Sequence, residues 1–259
     1  ASGKLLFNCR VIPNRGSWLD FEYDVKDFIY FRIDRKKKLY VTTLLLALGY
    51  TKSDIANEFY EKEIYQYDDK IKKWKTRFDP ENYKTKNISE EIVDVKNNNI
   101  VVKANEKINF LTAKKLANDG LKEIYVSNQS LYGKYLHTDV NIEGEVIKIG
   151  TEIDETILDK IIKQNITKLQ ISKTNSINKG PYLLQTLLHD QNENKNSAIT
   201  EIYKILRPGE PPTIEIASQI FNNLFFSSTR YDLSDVGRVK MNSRLNLECS
   251  DKITILRND

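Results

Sequence analysis

Trp18 stands among acids. In GSWLDFEYD (16–24) the alternation of a strand places Leu19, Phe21 and Tyr23 on one side, and Trp18, Asp20, Glu22 and Asp24 on the other. An indole on that acidic side is lost to a core. A few residues later Arg32, Arg35, Lys36, Lys37 and Lys38 crowd into one short stretch, which reads either as a solvated strand end or as a set of phosphate contacts. No group of aspartates has the spacing that holds two Mg²⁺ ions for an in-line displacement, and no hydrolase triad has support. His137 and His189 stand alone, without a nearby cysteine or carboxylate pattern for a metal, and read as surface or packing residues. Cys9 and Cys249 are too few for a disulfide framework and too isolated for zinc, so both are expected as reduced thiols.

A hairpin positions the first set. A second alternation, with Ile29, Phe31 and Ile33 against Tyr30, Arg32 and Asp34, follows a short loop at Val25, Lys26 and Asp27. Setting Phe21 opposite Phe31 pairs Leu19 with Ile33 and Tyr23 with Ile29, and keeps every apolar residue on one face. On the other face Asp20 then opposes Arg32, and Trp18 opposes Asp34. An ion pair beside an exposed aromatic and a carboxylate makes a shallow pocket.

The 259 residues, 40% hydrophobic, 29% charged and 10% aromatic, describe a soluble globular chain with one or two cores and a modest net charge of +4. The longest apolar run, LLLALGY (44–50), is far shorter than a bilayer span, and no signal-type segment opens the chain, so a cytoplasmic location is expected. VTTLLLALGY ends at Gly49, and Thr51 is placed to cap a second helix bearing Ile55, Phe59 and Tyr60. This helix, glycine turn, helix pattern is a weak match to a DNA-reading motif, because the second helix carries Asp54 and Glu58 against Lys52 alone.

From about residue 62 the composition shifts toward Lys, Asn, Asp and Ile, and a repeat appears. Residues 100–127 align without a gap on 145–172, matching Val101 to Val146, Lys103 to Lys148, Ile108 to Ile153, Lys115 to Lys160 and Ser127 to Ser172. Each copy reads as strand, turn, short amphipathic helix, strand. Chance similarity in a Lys/Ile-rich segment is the competing account. Two copies imply a small duplicated α+β module inserted in a host domain, over 62–175, bounded by polar stretches at 66–90 and 173–179. Beyond it, 197–206 and 214–226 have helical spacing with Thr213 as a cap, and RPGEPPT (207–213) between them is stiffened by three prolines. That loop reads either as a rigid projection or as a plain helix connection. RYDLSDVGRVKMNSRL (230–245) reads as a turn, a Ser234 cap and a basic helix.

Six ordered segments, VIPNRGSWLDFEYD, FRIDRKKKL, ALGYT, GPYLLQTL, EIYKILRPGEPPT and LFFSSTRYDLSDVGRVKMNSRL, resemble the lobe region of the beta subunit of bacterial RNA polymerase. The match covers nearly all of residues 3–60 and 178–245, and the repeat-bearing segment resembles, by position, the insertion some bacterial lineages carry there. The resemblance implies an α+β fold in which a mixed helix and antiparallel-hairpin lobe domain (1–61 and 176–259) is interrupted by the insertion domain (62–175). It implies an excised piece of a longer subunit, a reading with which the absence of an initiator Met agrees.

Function follows from the same resemblance. The lobe of the family walls the cleft for downstream duplex DNA, and a tryptophan at the position of Trp18 stacks on a nontemplate-strand base, with Asp34 and Arg35 at the pocket edge. Arg207 and Arg230 match arginines along the single-strand path, and Arg207, Pro208, Gly209, Glu210, Pro211 and Pro212 match the gate loop. Lys36, Lys37 and Lys38 depart from the arginines usual in the family, and Tyr40 stands where a proline is common. The chain is expected to hold no cofactor; the Mg²⁺ of DNA-directed nucleotide addition belongs to the partner subunit, and the piece alone is not expected to be catalytic. Expected partners are DNA, the beta prime, alpha, omega and sigma subunits, and transcription factors at the insertion, with no membrane. The alternative is a free-standing protein-interaction module acting through the duplicated segment.

Overall fold

A computed structural model describes residues 3–83, 86–88, 90–175 and 179–258. Residues 84, 85, 89 and 176–178, which fall in the two polar boundary stretches, lie outside the described residues. The fold is α+β, and the chain separates into two compact units, Ala1–Ile55 with Tyr182–Asp259, and Ala56–Pro181.

The first unit opens with β1 (Asn8–Val11), β2 (Leu19–Tyr23), β3 (Ile29–Ile33) and β4 (Leu39–Tyr40), an antiparallel sheet in that order. Its buried side carries Leu19, Phe31, Ile33 and Leu39, as period-two alternation requires. α1 (Val41–Leu48) is closed by Gly49, whose φ of 106° lets its N–H return to the carbonyls of Leu45 and Leu46. α2 (Lys52–Phe59) begins at Thr51, whose hydroxyl accepts the Asp54 N–H at 3.1 Å while Asp54 accepts the Thr51 N–H at 2.9 Å. The unit boundary falls within α2.

The second unit contains β5 (Lys62–Asp68), β6 (Lys73–Arg77), β7 (Lys86–Asn87), β8 (Ile92–Asp94), β9 (Ile100–Val102), β10 (Lys107–Ile108), α3 (Phe110–Asn118), β11 (Glu123–Val126), β12 (Tyr135–Leu136), β13 (Val140–Ile142), β14 (Glu145–Ile147), α4 (Glu155–Lys163) and β15 (Lys168–Ser172). Seven strands form one antiparallel sheet in the order β12-β15-β5-β6-β11-β8-β9. The hairpin β5–β6 lies at its centre, with β15 on one side and β11 on the other. Those two flanking strands close the segments 145–172 and 100–127; laid on one another, β9 falls on β14, α3 on α4 and β11 on β15, while β10 has no strand counterpart among the described residues. Phe110–Asn118 falls on Glu155–Lys163, and the caps Asn109 and Asp154 accept from Thr112 and Ile157 N–H at 2.8 and 2.7 Å. Ile108 and Ile153, and Ala113 and Leu158, are buried in matching places. Trp74, fully buried, donates its indole N–H to Asn128 at 3.0 Å.

His137, also buried in this unit, donates from Nε2 to Asn57 Oδ1 at 3.1 Å and accepts at Nδ1 from the Ser172 hydroxyl at 2.8 Å. Burial, with Lys62 adding repulsion, pushes its pKa below the ordinary value. Above about pH 6.5 the ring is neutral whether folded or unfolded and contributes no pH dependence; as pH falls through that value the unfolded chain takes the proton first, so stability drops until the folded pKa is passed. Urea unfolding at pH 7.5, 6.5 and 5.5 should show this loss, and His137→Gln should flatten it; equal slopes for both proteins would remove His137 as the cause.

The chain returns to the first unit with α5 (Tyr182–His189), α6 (Lys195–Leu206), α7 (Ile214–Phe225) and α8 (Ser234–Leu245). α6 starts earlier than its apolar spacing indicates, because Asn194 caps it through the Ser197 N–H at 3.0 Å. Thr213 caps α7, and the Ser234 hydroxyl accepts the Gly237 N–H at 3.3 Å. Buried Asp190 accepts the hydroxyls of Thr42 and Thr43 at 2.5 and 2.9 Å, which sets a carboxylate against the first turn of α1. His189 packs on Phe28, ring centroids 4.6 Å apart. No helix among the described residues is long and apolar enough to cross a membrane.

Candidate nucleic-acid interface

β2 and β3 pair in the register their alternation dictates, Leu19 with Ile33, Asp20 with Arg32, Phe21 with Phe31 and Tyr23 with Ile29. The ion pair expected between Asp20 and Arg32 does not form. β1 lies on the far side of β2 and sets Arg10 directly opposite Asp20, so the buried carboxylate takes Arg10 as its partner. Arg32 is left to bind Glu22 at 2.9 Å. Arg10, Asp20, Glu22, Arg32 and Arg35 line a polar cavity of about 430 Å³ over these strands. Cys9 lies at its edge, its thiol pKa pushed up by burial and by Asp20.

Trp18 sits half-buried just before β2. Its ring is flanked by two guanidiniums, Arg35 at 5.0 Å and Arg10 at 5.7 Å from the centroid. Asp34 meets it through the backbone: Oδ1 accepts the Trp18 N–H at 2.8 Å, and the Asp34 N–H donates to the Trp18 carbonyl at 3.1 Å. The second carboxylate oxygen, the indole N–H and the Arg35 guanidinium have no hydrogen-bonding or ion-pair partner among the described residues. Asp34 and Arg35 are the central residues of the tight turn closed by Lys36 N–H to Ile33 O at 2.9 Å, and both are left-handed, with φ of 47° and 57°. Two such residues without a glycine cost roughly 1–2 kcal/mol each, strain of the kind that collects at functional sites.

A second opening lies beside the proline loop. Gly16, Ser17, Arg207, Glu210, Gln219 and Arg230, with apolar residues of α7, line a groove of about 610 Å³. Arg207 is held across the loop by Glu210 at 3.2 Å, and the Tyr203 hydroxyl donates to the same carboxylate at 3.1 Å. Lys36 reaches the base of that loop, donating to the Leu206 carbonyl at 2.8 Å. The backbone of Asn14 and Arg15 bonds to the Asp232 carbonyl at 2.8 and 3.1 Å, and Gly16, at φ 117°, lies flat against Arg230 and Tyr231.

The five anticipated site residues therefore fall into two sets. Trp18, Asp34 and Arg35 form one cluster; Arg207 and Arg230 line the groove; and Ser17, next to Trp18 in the chain, belongs to the groove as well. Sequence reasoning missed Arg10, whose strand NCRV has too short an alternation to announce itself, and it missed Gln219 and Asn223, which look like ordinary surface amides.

The sequence model of the family described as RNA polymerase Rpb2, domain 2 matches residues 9–186 and 148–258. The chain belongs to that family. It is 45% identical over 262 residues to the DNA-directed RNA polymerase subunit beta of Rhizobium leguminosarum bv. trifolii (strain WSM2304), and equally so to that of Rickettsia conorii (strain ATCC VR-613 / Malish 7). Both alignments cover 100% of this chain and 19% of the relative. The likeness thus runs through the repeat-bearing segment, and the chain spans about a fifth of the length of those relatives.

Proposed function

We propose that this chain is part of the wall of the DNA cleft in a bacterial DNA-directed RNA polymerase, and that Trp18 is a stacking surface for an unpaired nontemplate-strand base. The observation that carries the reading is the half-buried indole, set beside the Arg35 and Arg10 guanidiniums, whose N–H, together with one Asp34 oxygen and the Arg35 guanidinium, has no hydrogen-bonding or ion-pair partner among the described residues. A base stacked there meets a π-face, an acceptor for its edge and a cation for its phosphate. Arg207 and Arg230 are assigned to the single-strand path, and the loop from Arg207 to Pro212 to the projecting gate. The polymerase acts in the cytoplasm with the beta prime, alpha, omega and sigma subunits, its two Mg²⁺ ions held outside this chain, and residues 62–175 are an insertion open to transcription factors.

Stacking contributes about 1–3 kcal/mol per base, so Trp18→Ala in an assembled polymerase should shorten the open-complex lifetime by about 5- to 150-fold. Trp18→Phe should retain part of it. A lifetime unchanged by the alanine, with normal assembly, would end this assignment.

A further inference from the structure

We infer that the groove beside α7 is a second nucleotide site, in which Gln219 and Asn223 read a base edge, adenine best, while Arg230 takes the phosphate. The inference rests on Trp18 as a stacking surface, since it places this nucleotide on the same strand, reached through Ser17.

Gln219 and Asn223 are four residues apart on α7 and so lie on one face, and both line the groove. Neither amide, nor the Arg230 guanidinium, has a hydrogen-bonding or ion-pair partner among the described residues. Arg207, by contrast, is held by Glu210. Three unmatched polar groups thus converge on one opening, and Ile216, Ile220 and Leu224 on the same helix give it an apolar floor. The volume, about 610 Å³, lies in the range of about 300–1,000 Å³ usual for small-molecule sites.

The donor set selects the ligand. A carboxamide offers a donor and an acceptor side by side, the complement of the adenine N6 and N7 pair, and a flat apolar floor accepts the face of any base. An unpaired guanidinium at the edge asks for an anion, and phosphate follows every base along a strand. A peptide would satisfy the amides but leaves that cation unexplained. A single strand satisfies all three groups, and Ser17, which lines the groove, adjoins Trp18 in the chain.

The test uses an assembled polymerase carrying this sequence in its beta subunit, on promoters in which each nontemplate position near the start site is varied in turn. Open-complex lifetime should favour adenine by about five-fold or more at one position. Gln219→Ala combined with Asn223→Ala should abolish that preference, while the effect of Trp18→Ala at its own position persists. With Gln219→p-benzoylphenylalanine, photocrosslinking to the nontemplate strand supports the site, and crosslinking to protein alone overturns it. A base preference unchanged in the double variant overturns the groove assignment if Trp18→Ala still acts; if Trp18→Ala is also silent, the underlying stacking reading falls with it.

Discussion

Arg238→Ala is expected to destabilise the first unit by about 3–5 kcal/mol, since it orphans two carbonyls at about 1–3 kcal/mol each and opens a cavity. Arg238 lies on α8 with 1% of its surface exposed. It donates from Nε to the Ile253 carbonyl at 2.6 Å and from Nη2 to that of Ile255, and Nη1 points to the Met241 sulfur at 3.8 Å. A buried cation held by carbonyls rather than by a carboxylate acts as a clasp for the chain end. The same segment is held by the Leu233 N–H to Thr254 O and the Leu256 N–H to Phe225 O, at 2.8 and 3.0 Å. Hydrogen exchange of the Leu233 and Leu256 amides should accelerate in the variant, and urea unfolding should report the loss. Arg238→Lys should recover only part of it, because an ammonium does not span both acceptors in the fork geometry. Unchanged protection of both amides would show that the tail is held without the guanidinium.

Gly16→Ala should cost about 2–4 kcal/mol through overpacking and backbone strain acting together. An added Cβ would lie 2.7 Å from the Tyr231 ring, 3.1 Å from the Arg230 carbonyl oxygen and 3.2 Å from the Tyr231 Cα. Two of these are backbone atoms that cannot rotate away, and Tyr231 is itself fully buried against Phe225. The φ of 117° would be strained for alanine even in open space. Because Ser17 and Trp18 follow directly, the shift would also move the stacking surface, so the denaturation midpoint and the open-complex lifetime should fall together. A midpoint equal to that of the parent would mean the loop yields more readily than its three backbone hydrogen bonds to Asp232 indicate.

The parts of the fold that were legible were those fixed by a short period. Alternation along Leu19–Tyr23 and Ile29–Ile33 allows one register, because a slip of one residue would expose Phe21 and Phe31, and that register is observed. Helix ends with their own local signal, a capping hydroxyl at Thr51 and Thr213 and a left-handed glycine at Gly49, were legible for the same reason. The partner of Asp20 was not, since it depends on β1, a strand distant in pattern that competes with Arg32 for one carboxylate. Nor was the role of Asp34, whose carboxylate turns back to the Trp18 N–H once the turn goes left-handed, a conformation no sequence pattern announces for Asp-Arg. The groove was half visible: Arg207 and Arg230 came from resemblance, but the amides of α7 are distinguished only by having no hydrogen-bonding partner among the described residues.

The tight turn at Asp34 and Arg35 also bears on attempts to make this polypeptide hardier. Glycine at either position would relieve roughly 1–2 kcal/mol of conformational penalty, which makes the pair an obvious choice for anyone seeking a higher melting point. Asp34→Gly, however, removes a charge-assisted acceptor worth about 1.5–3 kcal/mol, and Arg35→Gly strips the indole of its nearer cation. At Asp34 the lost acceptor already offsets the relief, so only Arg35 sets thermal hardening against a working recognition surface, and there the gain in robustness is one an engineer should decline.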